Sequence, residues 1–600
     1  MEHLFILGLI ALALVLFAWE VVRPDVVALG VTLVLLLSGT VTLEEGFSGF
    51  SNPAVITVIA MFILSYGLVR TGVADIVANT ILRVGGENPV LLTLAIMIAV
   101  GTMSAVMNNI GAVAVLLPAL FVIARRSKYP VTKLLIPLSF GSLMGGLTTL
   151  IGTPPNLLVS IALENQGFRG FRMFDFLPTG LAVMAAGALY MTFIGRHLLP
   201  ERKVANNLTR EYQLEDYLTE VVIPEDSFLA GKTIRSSGLF TKFGLTVLRI
   251  TRRLGQANIN IAPEPDEVLQ AEDRLIVEGD VMEMLRDREV SPLKIYADRK
   301  FNDKMLTDEN VQLAEVAIAP NAMILGQSIE QGYIRRHYGV LVLALRRRGE
   351  TLKERFISVP LEVGDVLLVQ GSPETLDELA RSHDFLVVNR LEHGTRKSRK
   401  APFALAIMTV SIMLAGTGFL HISTAAMLGV FLMVATGCVR PQDMYHEVEW
   451  RVIFLIAFMM PLGIAMDEKH TGTAKWLADA IVAAAGDYGP LALLGCLILF
   501  TTLITEVMSN AAAAVLLAPI GIAVAVGAGY EPYPFLMGIA IGASTTFLTP
   551  IGHQANVLVY GVGNYRFSDF ARTGLLLNLL IFAIAMVLIP MVWPFAPIGN

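Results

Sequence analysis

The sequence predicts an all-α polytopic membrane protein built from two inverted repeats, each of five spans plus one re-entrant hairpin. A soluble α/β insert of two tandem modules lies between the repeats. Three observations predict this: a skewed distribution of charge, a recurrence of apolar runs long enough to span a bilayer, and an internal repeat at a nearly constant offset. Of the 600 residues, 54% are hydrophobic and 16% charged, against about 25% charged in soluble chains. Of the 45 Lys and Arg, 16 fall in 1–199 and 401–600 and the remaining 29 in 200–400. The domains implied are a membrane repeat over 1–199, insert modules over 205–291 and 297–390, and a second membrane repeat over 401–600. Basic and acidic residues are interleaved in the insert, so no nucleic-acid partner is implied. Two cysteines, Cys438 and Cys496, both in apolar runs, do not make a disulfide framework.

Runs near the roughly 20 residues needed to span fall close to 3–20, 24–40, 53–70, 134–163 and 176–198, and again close to 402–419, 423–439, 451–466, 535–560 and 573–595. The first run, 4–18, lacks a basic leader and a small-residue cleavage site, so it reads as a retained helix. The longer segments 89–125 and 489–526 each carry a short polar break, as a hairpin that enters the membrane and turns back would. Such a polar turn is tolerated at that depth only where it is buried or lines a cavity.

The repeat is explicit. Met107-Asn108-Asn109 recurs as Met508-Ser509-Asn510, Ile151-Gly152-Thr153-Pro154-Pro155-Asn156 as Ile551-Gly552-His553-Gln554-Ala555-Asn556, and Thr71-Gly72 as Thr471-Gly472. The loop 125–133 holds Arg125, Arg126, Lys128 and Lys133, whereas 526–535 holds no basic residue. The positive-inside rule puts the first loop in the cytoplasm and the second outside. Five spans per repeat require that inversion, and inverted repeats with broken helices are the pattern of secondary transporters. Both termini are then expected outside and the insert in the cytoplasm, in a multi-pass protein of the cell inner (plasma) membrane.

The break at 149–156 is a candidate ion site. Pro154 and Pro155 lack backbone N–H groups, so in a helix the carbonyls of Leu150 and Ile151 would lose their partners; Gly152 weakens it further. Free carbonyls with Thr149, Thr153 and Asn156 make an oxygen-rich site suited to a hard cation such as Na⁺, and half-helix N-termini suit an anion. Thr549, Pro550 and Gly552 repeat the device, with Asn556 beyond it. Asn108-Asn109 and Ser509-Asn510 at the hairpin tips can cap the second arms. Capping alone is the plainer reading of one tip, but two related tips with two related breaks point to a site. His553 fits packing, hydrogen bonding, or titration near neutral pH. Glu506, in an apolar run beside the second tip, reads as functional by default.

These stretches resemble the divalent anion–sodium symporter (DASS) family of the ion transporter superfamily, over both membrane halves. The resemblance implies a Na⁺-coupled carrier of a dicarboxylate or sulfate that moves as an elevator. By position, Asn108, Asn109, Ser509 and Asn510 would contact substrate or ion, and Gly152, Pro155, Asn156, Gly552 and Asn556 would form the ion loops. The family's Ser-Asn-Thr tips read here Asn108-Asn109-Ile110 and Ser509-Asn510-Ala511. Loss of both threonines weighs toward a smaller oxyanion such as sulfate. The insert resembles paired TrkA-C (RCK C-terminal) modules, which implies a homodimer and a small regulatory ligand. No G-x-G-x-x-G follows a strand in 200–400. Competing readings are a Na⁺/H⁺ antiporter or an arsenite-type oxyanion efflux permease, for which an intramembrane Asp pair is missing, and a channel, for which no filter loops are found. Nothing resembles a nucleotide loop, a metal cluster or a nucleophile triad, which argues against an enzyme; no cofactor beyond the coupling Na⁺ is implied.

Overall fold

The computed structural model describes residues 2–19, 22–86, 88–127, 129–201, 218–239, 245–254, 257–261, 266–278, 293–295, 312–319, 322–329, 333–347, 350–352, 358–379, 382, 384–390, 400–446, 448–467, 469–473, 476, 489–563 and 565–598. The chain divides into two compact units, Met1–Arg202 with Gly394–Asn600, and Lys203–His393.

The first unit is helical. Its first half contains α1 (Glu2–Trp19), α2 (Pro24–Leu37), α3 (Pro53–Arg70), α4 (Val73–Gly85), the pair α5 (Pro89–Ser104) and α6 (Asn109–Ser127), α7 (Thr132–Gly146), α8 (Pro154–Asn165) and α9 (Leu177–Tyr190, helical on to residue 198). The second half contains α10 (Ala401–Gly416), α11 (Ile422–Ala435), α12 (Trp450–Met466), the pair α13 (Gly489–Thr505) and α14 (Asn510–Gly527), α15 (Tyr533–Ser544), α16 (Gln554–Val562) and α17 (Phe567–Val592). Among the described residues, four helical stretches are long and apolar enough to cross a membrane alone: Leu43–Arg70, Leu177–Leu198, Asn510–Gly527 and Phe567–Val592.

Helix starts follow local chemistry. Asn52 and Asn88 each accept a backbone N–H, from Ala54 and Val90, both at 2.9 Å, and each precedes a proline at the first helical position. Gly72 and Gly472 of the repeated Thr-Gly dipeptide have φ of 82° and 60°, the left-handed conformation that glycine adopts without strain; Thr71-Gly72 ends α3, whereas Thr471-Gly472 lies in the turn beyond α12.

The run near 134–163 is two helices, because residues 147–153 leave the helical path; the run near 535–560 breaks likewise over 545–553. The prolines start α8 at its first two positions, so Leu150 and Ile151 sit in the connecting loop and no helical ladder is interrupted there. Helix α4 is an element that run length passes over, since its polar residues keep it below span length. Packing comes in matched sets: α2 on α12 and α11 on α3, α5 on α7 and α13 on α15, and α9 on α17. Helices α7 and α15 are buried almost throughout. Close approach explains their glycines: a Cβ on Gly145 would stand 2.3 Å from the Gly101 backbone.

The second unit holds two five-stranded antiparallel sheets. The first, in order β3-β2-β4-β1-β5, is built from β1 (Leu218–Val222), β2 (Thr246–Leu254), β3 (Ala257–Ile261), β4 (Arg274–Glu278) and β5 (Lys294–Ile295). The second, in order β10-β6-β9-β7-β8, is built from β6 (Gln312–Ile318), β7 (Leu341–Arg347), β8 (Glu350–Thr351), β9 (Val366–Gly371) and β10 (Phe385–Arg390). A helix expected over 374–381 is present as Pro373–Leu379; one expected over 281–288 lies outside the described residues. The sheets share a bulge, at 247/249 and 342/344, and an arginine clasp. Arg252 donates to both oxygens of Asp273, at 2.9 and 2.8 Å, and to the Val268 carbonyl at 2.7 Å; Arg347 donates to Asp365 at 2.8 and 2.6 Å and to the Pro360 carbonyl at 2.6 Å. Each aspartate hydrogen bond raises its guanidinium above the usual arginine range.

Arg347→Ala would leave the buried Asp365 carboxylate without its partner, a change worth about 3 kcal/mol or more. Hydrogen exchange in the full-length protein is expected to quicken over 366–371, while the strand 274–278 of the other sheet stays protected.

Candidate functional site

The first hairpin turns over 105–108, where four residues leave the helical ladder between α5 and α6. Asn108 Oδ1 accepts the Ile110 N–H at 3.2 Å and so caps α6, and its Nδ2 donates to Glu449 at 3.1 Å. Asn109 is buried. Its Oδ1 lies 2.5 Å from the Ser104 hydroxyl, and its carbonyl accepts from Ser142 at 3.2 Å. Its Nδ2 has no partner among the described residues. The loop 147–153 lies against this tip: the Thr149 hydroxyl donates to the Ala105 carbonyl. A Cβ on Gly152 would be 2.5 Å from the Gly146 carbonyl oxygen and 2.9 Å from that of Ser104, so only glycine fits. Asn156, fully buried, donates to the Gly146 and Thr149 carbonyls at 3.2 and 2.8 Å, leaving its Oδ1 and the Thr153 hydroxyl without partners among the described residues. Pro155 is buried at the start of α8. Together Ser104, Asn109, Gly146, Gly152 and Asn156 bring a group of buried oxygens around one tip.

The second hairpin repeats this arrangement. The Thr505 hydroxyl lies 3.0 Å from Asn510 Oδ1 and 2.8 Å from the Ala543 carbonyl oxygen, and Asn510 Nδ2 again has no partner among the described residues. Ser509 Oγ accepts the Ala512 N–H and caps α14. The Thr549 hydroxyl donates to the Glu506 carbonyl at 3.0 Å and accepts the Gly552 N–H at 3.1 Å. Asn556 donates to the Thr546 and Thr549 carbonyls at 2.6 and 3.3 Å; Thr546 lies in the loop 545–553, so its carbonyl is not one that Pro550 releases from a helix. Unlike Asn156, Asn556 uses its Oδ1, which accepts from Ser139 at 2.6 Å. His553 caps α16: its Nδ1 accepts the Ala555 N–H at 3.1 Å, which requires a lone pair on that nitrogen.

Comparisons with known proteins give the family of the chain as a whole. The profile of the citrate transporter family CitMHS matches residues 14–535 and 469–598. The chain belongs to this family. It is 37% identical over 601 residues to an uncharacterized transporter of Synechocystis sp., covering 98% of this chain and 97% of that one. An uncharacterized transporter of Escherichia coli is 33% identical over 99% of this chain and 100% of its own length. Sodium/sulfate cotransporter 2 of Chlamydomonas reinhardtii is 28% identical over 61% of this chain and 43% of its own. The protein is thus a membrane transporter of this family, and not an enzyme.

Several residues of the candidate site escape a sequence reading. Ser104 and Thr505 each stand five residues before their asparagine, and that shared spacing is a usable signal. Ser139 and Glu449 carry none, being 417 and 341 residues from the side chains they meet. Glu506 is held in a way its position in an apolar run does not disclose. Its carboxylate accepts the backbone N–H groups of Phe547 and Leu548 at 3.0 and 2.9 Å on one oxygen and of Thr549 at 2.9 Å on the other. The carboxylate thus joins the second hairpin to the second break, where the first repeat has Ala105.

Glu506→Gln would set an NH₂ group against at least one of these buried N–H donors, a loss of about 1–3 kcal/mol. The thermal unfolding midpoint in detergent is expected to fall, and an unchanged midpoint would mean the nest does not hold the second break.

Proposed function

We propose that the protein is a secondary transporter that couples Na⁺ to uptake of a small divalent anion, sulfate or a dicarboxylate. The observation that carries this is the matched pair Asn109 and Asn510. Each is buried, each has its side-chain oxygen beside a hydroxyl, and each leaves its NH₂ without a partner among the described residues. Around each tip, carbonyl and side-chain oxygens suit a hard monovalent cation, as unwound backbone does in other secondary transporters. The free amide donors and the N-termini of α6, α8, α14 and α16 suit an anion. Coupling follows from this arrangement: cation and anion share the same side chains, so each raises the affinity of the other. The family's description as citrate transporters and the sodium/sulfate name of a relative support an oxyanion with two or more charges.

The two membrane halves are read as inverted repeats, consistent with the matched packing of α2 on α12 and α11 on α3. Hairpins, breaks and their packing partners then form the moving part of an elevator. The insert is read as a pair of TrkA-C modules that bind a small cytosolic ligand, in a homodimer of the inner membrane. The repeated arginine clasp supports two copies of one module.

In proteoliposomes, an inward Na⁺ gradient is expected to drive uptake of labelled sulfate or succinate, with citrate as the third probe. Asn109→Ala and Asn510→Ala should each lower the Na⁺-driven rate about tenfold, a loss of roughly 1.4 kcal/mol. Uptake driven equally by a proton gradient alone would overturn Na⁺ coupling. For topology, cysteines placed at Pro130 and Tyr530, in a protein lacking Cys438 and Cys496, are expected to label from opposite sides of the membrane. Labelling of both from one side would overturn the inversion.

A further inference from the structure

Glu449, immediately before α12, meets the first hairpin tip. Its Oε1 accepts from Asn108 Nδ2 at 3.1 Å, while the Asn108 oxygen is engaged in capping α6. The amide nitrogen thus meets a carboxylate of the other membrane half. Asn108 also borders a small pocket of about 40 Å³, lined on its polar side by Ser65 of α3 and Thr153 of the first break. Both hydroxyls are buried and without partners among the described residues. The pocket has room for about one or two water molecules, so an anion reaching these groups requires tip and α3 to part. Among the described residues, the second repeat has no such contact. Ser509 takes the place of Asn108, and Gly49 stands 400 residues before Glu449, where a Cβ would come 2.3 Å from the Ala457 carbonyl oxygen.

We propose that Glu449 is a latch whose carboxylate holds the Asn108 amide in competition with the transported anion. This rests on the anion-binding role given above to the hairpin tips. A carboxylate is the chemical likeness of a dicarboxylate's own end, and it satisfies the same N–H donor. A dianion beside the pocket is repelled by Glu449 as long as the Asn108 contact lasts, since like charges at a few ångströms in a poorly screened site oppose one another strongly. Anion binding therefore requires Glu449 to release Asn108, and release frees the first tip from α12. Glu449 acts through Asn108; it is a positioning residue that contributes no contact to the anion.

The test compares wild type, Glu449→Ala, Glu449→Gln and Asn108→Ala as full-length proteins. Hydrogen exchange over 104–112 reads the latch without any substrate. Exchange is expected to quicken in Glu449→Ala and to stay near wild type in Glu449→Gln, whose side-chain oxygen still accepts from Asn108. With labelled sulfate, succinate and citrate as probes, Glu449→Ala is expected to lower the half-saturation concentration about fivefold, the low end of usual coupling. Glu449→Gln should lower it less, and Glu449→Ala should have no such effect when Asn108→Ala is also present. Unchanged exchange in Glu449→Ala, or a raised half-saturation concentration, would overturn the latch. If the wild type takes up none of the three anions, the transport reading falls, and the exchange comparison alone decides the latch.

Discussion

Irregular backbone inside a membrane must find its hydrogen-bond partners within the protein, because the hydrocarbon offers none. Among the described residues, the helical ladder breaks between packed apolar helices at the two hairpin tips and at the two loops before α8 and α16. Everything around them serves to satisfy or to use the exposed groups. Asn156 and Asn556 reach back across their loops to two carbonyls each. Thr149 and Thr549 join loop to tip. Glycines at 152 and 552 let the backbones approach. The Asn109 and Asn510 Nδ2 atoms and the Asn156 Oδ1 remain without partners among the described residues.

The halves keep this framework and differ in their charges. Glu506 fastens the second break with three backbone hydrogen bonds, whereas the first repeat has an alanine there. Ser139 donates to Asn556 Oδ1, whereas Ile539, 400 residues beyond Ser139, has no hydroxyl and Asn156 Oδ1 has no partner among the described residues. Glu449 touches the first tip and Gly49 cannot. Duplication supplies two equal cradles, and these few substitutions make the second one tighter and the first one tethered to a neighbouring helix.

The insert repeats the same economy in another fold. Each sheet seats a bidentate arginine against a buried aspartate beside a carbonyl, at matching places. A buried carboxylate is costly unless paired and hydrogen-bonded, and here backbone N–H groups of Gln270 and Glu362 complete the set. The clasp fixes the loop ahead of β4 and of β9.

The sequence by itself determined the apolar runs, the polar tips, the proline- and glycine-marked breaks and the repeat at 400 or 401 residues. Those features are written in local composition and spacing, which hydrophobicity and backbone chemistry read directly. It also carried β-rich character in 200–400 through short β-branched runs between turns. It did not disclose α4, whose polar face interrupts the apolar run. Nor did it disclose which helix packs on which, or that Ser139 meets Asn556 and Glu449 meets Asn108. Such contacts join residues hundreds of positions apart and leave no periodic trace. Only the folded arrangement decides whether an asparagine at a break offers its oxygen to an ion or spends it on a serine, because that depends on the side chain a distant helix brings opposite to it.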